Sequence, residues 1–237
     1  SDSYFPPAVK GVEIPKRAGG VRLLGIPTVG DRVAQTIIAQ IIEPRLERIF
    51  HEDSYGYRPE KSAHQAIEVT RRRCWKCGYV LEYDIKGLFD NLSHELLMRA
   101  VKHHIEEKWI QRYIERWLKA PLVLANGTVI ERTSGTPQGG VISPLLANLF
   151  LHYAIDAWMS MEFPKISFAR YADDGLIHCT SRKQAKYILE RLTRRLQEVG
   201  LEIHPDKTKI VNCSPRSEDV GKFTFLGYEF RKRSAKN

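Results

Sequence analysis

"RYADDGLIHC", Arg170 to Cys179, sets two adjacent carboxylates, Asp173 and Asp174, inside a run that is otherwise aromatic and aliphatic. The flanks "SFARYA" and "GLIHC" have the composition of short β-strands, so the stretch reads as a hairpin with charge at its tip. Asp and Gly are turn formers, and a plain turn is the simplest explanation. Neighbouring carboxylates repel, however, and a hard divalent cation, which prefers oxygen ligands, would offset that repulsion. Turn and metal site are separated by what else the chain brings to this tip.

A second acid bears on the choice. "YVLEYDIKGLFD", Tyr79 to Asp90, opens as a buried strand that ends at Asp84. If that strand and the hairpin are neighbours in one antiparallel sheet, three carboxylates meet at its rim. Two divalent ions held ~3.5–4 Å apart by such acids can activate an attacking 3′-hydroxyl and stabilise a departing pyrophosphate. Mg²⁺ suits the task because it accepts a few carboxylates and leaves positions for substrate phosphates. Taken singly, Asp84 is a strand-ending turn residue at least as readily as a ligand.

Outward from these acids the pattern alternates between short strands and amphipathic helices. "VEIPKRAGGVRLLGIP" (Val12 to Pro27) predicts two strands joined by a Gly19-Gly20 turn. The next segment places Val33, Ile37, Ile38, Ile41 and Ile42 at helical spacing. "SYGYRPEKSAHQAIEVTRRR" is a turn leading into a helix, and Ser93 is placed to cap another. Asn126-Gly127 marks the tip of a hairpin. From Ser143-Pro144, a cap and a first-turn proline, one helix is expected to carry Leu145, Leu146, Leu149, Phe150, Tyr153 and Trp158 on a single face. Ser181 with Gln184 predicts a capping box, and Gly200 a C-terminal stop. Hairpins among helices, without βαβ alternation, predict an α+β fold.

Composition narrows the function classes. The 237 residues can bury a core, and Lys plus Arg total 37 against 28 Asp plus Glu, a net charge of +9. That excess favours a polyanionic partner, nucleic acid first. Basic clusters at Arg71 to Arg73, Arg191 to Arg195 and Arg231 to Arg233 suggest a broad track rather than one patch. No apolar run approaches the ~20 residues of a membrane span, and the first residues lack a signal-peptide core. Four cysteines look too few and too scattered for a disulfide framework; "CWKC" (Cys74 to Cys77) is half a zinc site or, more simply, two incidental thiols.

"YDIKGLFD" (Tyr83 to Asp90), "GTPQGGVISPLLANLFL" (Gly135 to Leu151), "YADD" (Tyr171 to Asp174), "GLEIHPDKTK" (Gly200 to Lys209) and "FLG" (Phe225 to Gly227) follow one another in the order found in the reverse transcriptases. "IPK", "LGIPTVGDRVAQ" and "SYGYRPEKSAH" upstream resemble the group II intron-encoded subgroup of that family, the maturases. The resemblance covers nearly the whole chain. It implies a right-hand polymerase with an antiparallel palm sheet packed on helices: fingers at 1–78, palm at 79–91 and 134–237, fingers and palm helices with a hairpin at 92–133, and the thumb absent. It implies an RNA-directed DNA polymerase that extends a DNA primer on an RNA template from dNTPs, with two Mg²⁺ ions (Mn²⁺ as a substitute), and intron RNA as a further partner. A bacterial, nucleoid-associated cytoplasmic location and no endonuclease activity go with it. A non-catalytic RNA-binding maturase module is the alternative from another class; CRISPR-associated, retron and diversity-generating reverse transcriptases would share the chemistry.

Carried over residue by residue, the resemblance makes Asp84 and Asp173 the principal metal ligands, with Asp174 completing the triad and the Ile85 carbonyl reaching a metal. Phe89 matches the steric gate that excludes a 2′-hydroxyl; core packing is its other explanation. Gln138 would line the nucleotide pocket, with Gly139 and Gly140 allowing close approach to substrate and template. Lys16 and Arg22 match the pair that clamps the triphosphate, for which charge-assisted hydrogen bonds are the physical basis. Lys207 is a candidate acid for the leaving pyrophosphate, inseparable here from Lys209. Arg58 is a template-backbone contact or a member of a structural ion pair.

Overall fold

A computed structural model describes residues 4–15, 20–214 and 221–231, and of Arg22 only the backbone. The chain gathers into two compact units, residues 1–50 with 87–150 and residues 51–86 with 151–237.

In the first unit β1 (Val9–Pro15) pairs antiparallel with β2 (Val21–Ile26). The predicted strands are both there; the tip at 16–19, Lys16 included, lies outside the described residues. Thr28 starts α1 (Val29–Leu46) by accepting the Asp31 N–H, which satisfies one of the donors a helix start leaves open. The expected five-residue apolar face of α1 is divided. Ile38 and Ile42 are buried along with Asp31, Gln35 and Leu46, whereas Val33, Ile37 and Ile41 are exposed. The buried stripe includes polar groups because Gln35 accepts the Val141 N–H at 2.9 Å, a bond the apolar pattern does not encode.

After α3 (Leu88–Asn91), Ser93 caps α4 (His94–His104) as expected, taking the Leu96 N–H. α4 packs on α5 (Lys108–Lys119) through Leu97, Val101, Ile110 and Ile114, all fully buried. β4 (Leu122–Val123) and β5 (Val129–Ile130) flank the Asn126-Gly127 tip and extend the β1–β2 sheet. α6 runs Ser143–Leu151, with Ser143 inside it and its hydroxyl 2.7 Å from that of Thr136.

The single helix expected past Leu151 is interrupted. A π-helical turn, His152–Asp156, precedes α7 (Ala157–Glu162). The extra residue in that turn breaks the 3.6 period, so Tyr153 is left exposed while Asp156 is buried.

The second unit is built on a sheet of order β6 (Phe168–Tyr171), β7 (Asp174–Cys179), β3 (Tyr79–Asp84), β8 (Lys209–Asn212), all neighbours antiparallel. Alternation along β3 and β7 turns Val80 and Leu176 to one face. There they join Ala66 of α2 (Ala63–Cys74) and Phe223 and Phe225 of a further hairpin, β9 (Phe223–Phe225) with β10 (Tyr228–Phe230). Leu81 and Ile177 face the other way, on the side of α8 (Arg182–Glu198). Burying both faces explains why β3 and β7 read as near-continuous apolar runs. Gly200 ends α8 at φ +80°, as expected. The capping box predicted there is half formed: Gln184 N–H reaches Ser181 Oγ, but its side chain accepts from Thr180 N–H instead. The complete box lies on α2, between Ser62 and Gln65.

All four cysteines are free, and two of them meet in space: the Cys74 and Cys213 side chains both pack against the core under α2. Sequence separation hid this, since β8 carries Cys213 back to the end of α2. Among the described residues no helix is long and apolar enough to cross a membrane.

Candidate active site

β3 and β7 bring the predicted acids together at one end of the second unit's sheet. Asp84 and Asp174 are cross-strand partners in the last register of the ladder, and the Ile85 N–H donates to the Asp173 carbonyl at 3.2 Å. The strand end is tied on its other flank too: the Asp84 carbonyl accepts from His204 N–H, and Lys86 N–H donates to the Glu202 carbonyl, both at 2.8 Å. An extended residue turns its N–H and C=O to the same flank, so the Ile85 carbonyl faces the acid hairpin.

Charge is concentrated here. Asp84 is buried, and its Oδ2 lies 2.8 Å from Lys207 Nζ. Burial, the charges of Asp173 and Asp84 and a hydrogen bond with Asp84 push the Asp174 carboxyl up to about 7. Its hydrogen bond with Asp84 in turn raises Lys207 above the ordinary lysine range. Lys209 pairs instead with Glu82, at 3.2 Å, so the two lysines that sequence could not separate have different acids. A cavity of about 250 Å³ opens over Asp84, Asp174, Lys207 and Lys209, bounded by the β9–β10 turn. A larger cleft of about 440 Å³ in the first unit, between α4 and α5, is lined by mixed charges, with Glu95 and Glu115 among Arg99, Lys102 and Lys119.

The acid turn is braced from behind. Ala172 adopts φ +54°, the left-handed region that few non-glycine residues enter. Its carbonyl accepts from Arg170 at 3.2 Å, and that guanidinium is fully buried. Asp156, from the π-helical turn, meets Arg170 with both oxygens, at 2.8 and 2.6 Å, and Ser54 Oγ adds a third partner at 2.8 Å. Burial acts to lower the Arg170 pKa, and the Asp156 charge and hydrogen bonds more than offset it. Gly56 packs directly under the turn: a Cβ there would lie 2.5 Å from the Ala172 nitrogen. Gly175 has the Tyr83 ring against it, leaving no space for a side chain.

Arg58 belongs to the same bracing loop. Its Nη1 donates to the carbonyls of His51 and Ser54 at 2.6 and 2.7 Å, which ties the side chain to its own loop.

Divalent-metal dependence is a property of the family to which the motifs point. The donor set at this rim, hard carboxylate oxygens and a backbone carbonyl, fits Mg²⁺. Burial first, and then the neighbouring carboxylates, hold Asp174 near 7, and Lys207 already sits on Asp84, so the cluster would gain from more positive charge. Among the described residues no three His, Cys, Asp or Glu side chains cluster tightly enough to hold an ion by themselves.

The remaining predicted residues lie in the first unit. Phe89 is partly buried on α3, and its carbonyl accepts the Thr136 N–H at 2.7 Å. Gln138 Nε2 reaches both oxygens of Asp90 at 3.1 and 3.2 Å. Gly139, at φ +133°, has the Gly25 carbonyl 2.8 Å from where a Cβ would sit, and Gly140 has Ser143 Oγ at 2.5 Å. The close approach that requires these glycines is thus to the protein's own atoms. Lys16 lies outside the described residues, and Arg22 contributes only its backbone, opposite Ile14. The bracing set of Arg170, Asp156 and Gly56 was not foreseen. Its signal was there: a lone arginine in an apolar strand and a lone aspartate in "LANLFLHYAIDAWM".

Residues 14–230 match the family model described as reverse transcriptase (RNA-dependent DNA polymerase). The chain is 33% identical to protein YkfC of Escherichia coli over 99% of its own length and 70% of that protein's. It is 38% identical to the group II intron-encoded protein LtrA of Lactococcus lactis over 96% of its own length, spanning 39% of LtrA. The fold is also that of telomerase from Candida albicans, solved with a TWJ fragment of telomeric RNA: TM-score 0.75, 15% identity, 95% of this chain and 44% of the other. The chain spans well under half of LtrA, and with this fold and its acid rim it belongs to the reverse transcriptase family.

Proposed function

We propose that this module extends a DNA primer on an RNA template, with Asp84, Asp173 and Asp174 as the acids of a two-Mg²⁺ site. One observation carries the reading: three carboxylates sit at one sheet rim with a lysine already bound to one of them and Asp174 held near 7. When bound, the ions supply activation of the primer 3′-hydroxyl and neutralisation of the developing pyrophosphate charge. Asp84 and Asp173 would hold them, with Asp174 and the Ile85 carbonyl alongside. Lys207 would turn from Asp84 to the leaving phosphates and donate a proton there; its position on Asp84 favours it over Lys209.

The dNTP would be met by Lys16, Arg22, Gln138 and Phe89, the last screening the sugar. Arg58, Gly139 and Gly140 would lie along the nucleic acid. The fingers at 1–78 and palm at 79–91 and 134–237 remain part of this proposal; they are parts named by role, whereas the compact units divide at 50, 86 and 150. In the complete protein, intron RNA would be a further partner and the bacterial cytoplasm, near the nucleoid, its place.

Primer extension on an RNA template with Mg²⁺, using the complete natural protein, tests the reading. DNA product from the wild type and none from Asp173→Asn is expected. No extension beyond that control would sink the enzyme reading.

A further inference from the structure

"RRRCWKC", Arg71 to Cys77, takes no part in the chemistry above, yet the structure sorts its residues by direction. Arg73 turns inward, donating to the Phe168 carbonyl at 2.7 Å and to Asp53 at 2.8 Å. Cys74 packs inward against Cys213 and the core. Lys76 and Cys77 N–H groups both donate to the Arg73 carbonyl, at 3.0 and 2.9 Å, closing a tight turn. Arg71, Arg72, Trp75 and Lys76 face outward. Trp75 is 68% exposed, and its ring carries the Arg71 guanidinium 5.5 Å from the centroid.

The anchored loop therefore presents an indole in a basic setting. Its neighbours extend that setting: a Cβ at Gly78 would lie 3.5 Å from the Thr180 carbonyl, which places the start of α8, with exposed Arg182 and Lys183, on the same rim. Glu68 is the acid beside the patch, 3.8 Å from Arg72. β3 starts at Tyr79 on this rim and ends at Asp84, so the rim lies ~17 Å along the strand from the acids, at ~3.3 Å per residue.

We propose that this rim is a second nucleic-acid surface, which takes single-stranded RNA by stacking a base on Trp75 and setting phosphates on Arg71, Lys76 and Arg182. Every base has a π-face, so an exposed aromatic among cations binds single strands with little regard to sequence. An acidic protein would use the cations but gain nothing specific from the indole. The distance along β3 makes the rim separate from the template at the acids. The inference rests on RNA being this chain's partner, but its test reads binding rather than synthesis.

Fluorescence anisotropy of a labelled 20-nucleotide oligo(U) RNA, at fixed salt, provides that test. Trp75→Ala should weaken binding about ten-fold or more, and Trp75→Phe should keep most of the affinity. Lys76→Glu should weaken binding and flatten its salt dependence. Trp109→Ala, at an exposed tryptophan of the other unit, should leave affinity unchanged. Extension of a short primer–template, shorter than the span to the rim, should be the same in Trp75→Ala as in wild type. Affinity within two-fold of wild type in a folded Trp75→Ala would overturn the proposal. So would poly-glutamate displacing the RNA as well as unlabelled oligo(U) does.

Discussion

Asp174 gives the most direct residue-scale prediction. Its folded-state pKa near 7 stands above the ordinary value of 3.8, so the folded protein binds more protons than the unfolded chain between those limits. Stability then falls as pH rises from about 4 to about 7, and the loss persists above that. Asp174→Asn should raise the metal-free melting temperature at pH 8 and leave it nearly unchanged at pH 4; the same gain at both values would refute the sign. Phe89 offers a second test. Because it is partly buried, Phe89→Ala should cost less than the ~3–5 kcal/mol of a fully buried ring, while ribonucleotide incorporation rises relative to dNTP. An unchanged ratio in a folded, active variant would remove Phe89 from the site. The acids could be read from sequence because charge in an apolar run is conspicuous. The bonds of Arg58 could not, since both acceptors are main-chain carbonyls with no side-chain signature. Which acid each of Lys207 and Lys209 meets depends on the register of β3 against β8.

At the scale of elements, the π-helical turn and the strand before the acids act as one device. The turn places Asp156 where Arg170 can bond it twice, and Arg170 holds the Ala172 carbonyl at the left-handed residue of the acid turn. Removing one member of a fully buried ion pair strands the other, at ~3–5 kcal/mol. Asp156→Leu should therefore lower stability by about that much, and Arg170→Met likewise. The double variant should lose clearly less than the sum, which denaturant melts of all three proteins would measure. Strict additivity would mean the pair is not coupled. Sequence periodicity could not reveal this element, because the apolar spacing up to Leu151 suits an uninterrupted α-helix. What reshapes the next turn is a tertiary partner on a strand 14 residues later. The β-elements were easier, since Gly20, Asn126-Gly127 and the acid pair each punctuate a turn that local chemistry alone demands.

The whole molecule carries a net charge of +9, and its binding to any nucleic acid should weaken steeply with salt. A log–log plot of affinity against salt concentration should be linear, with a slope set by the number of phosphates engaged. A flat line would remove nucleic acid as the partner of the basic surface. Motif order made the family legible from the whole chain, while its division into two units did not show, because neither unit is a continuous stretch. That discontinuity has a consequence in time. β3 leaves the ribosome well before its partners, since β7 begins at Asp174 and β8 at Lys209. At ~5–20 residues per second, an apolar strand waits several seconds with both edges unpaired. The acid cluster cannot exist in the nascent chain until the hairpin after Phe168 is made, so the acids that would do the chemistry are born apart and wait for one another.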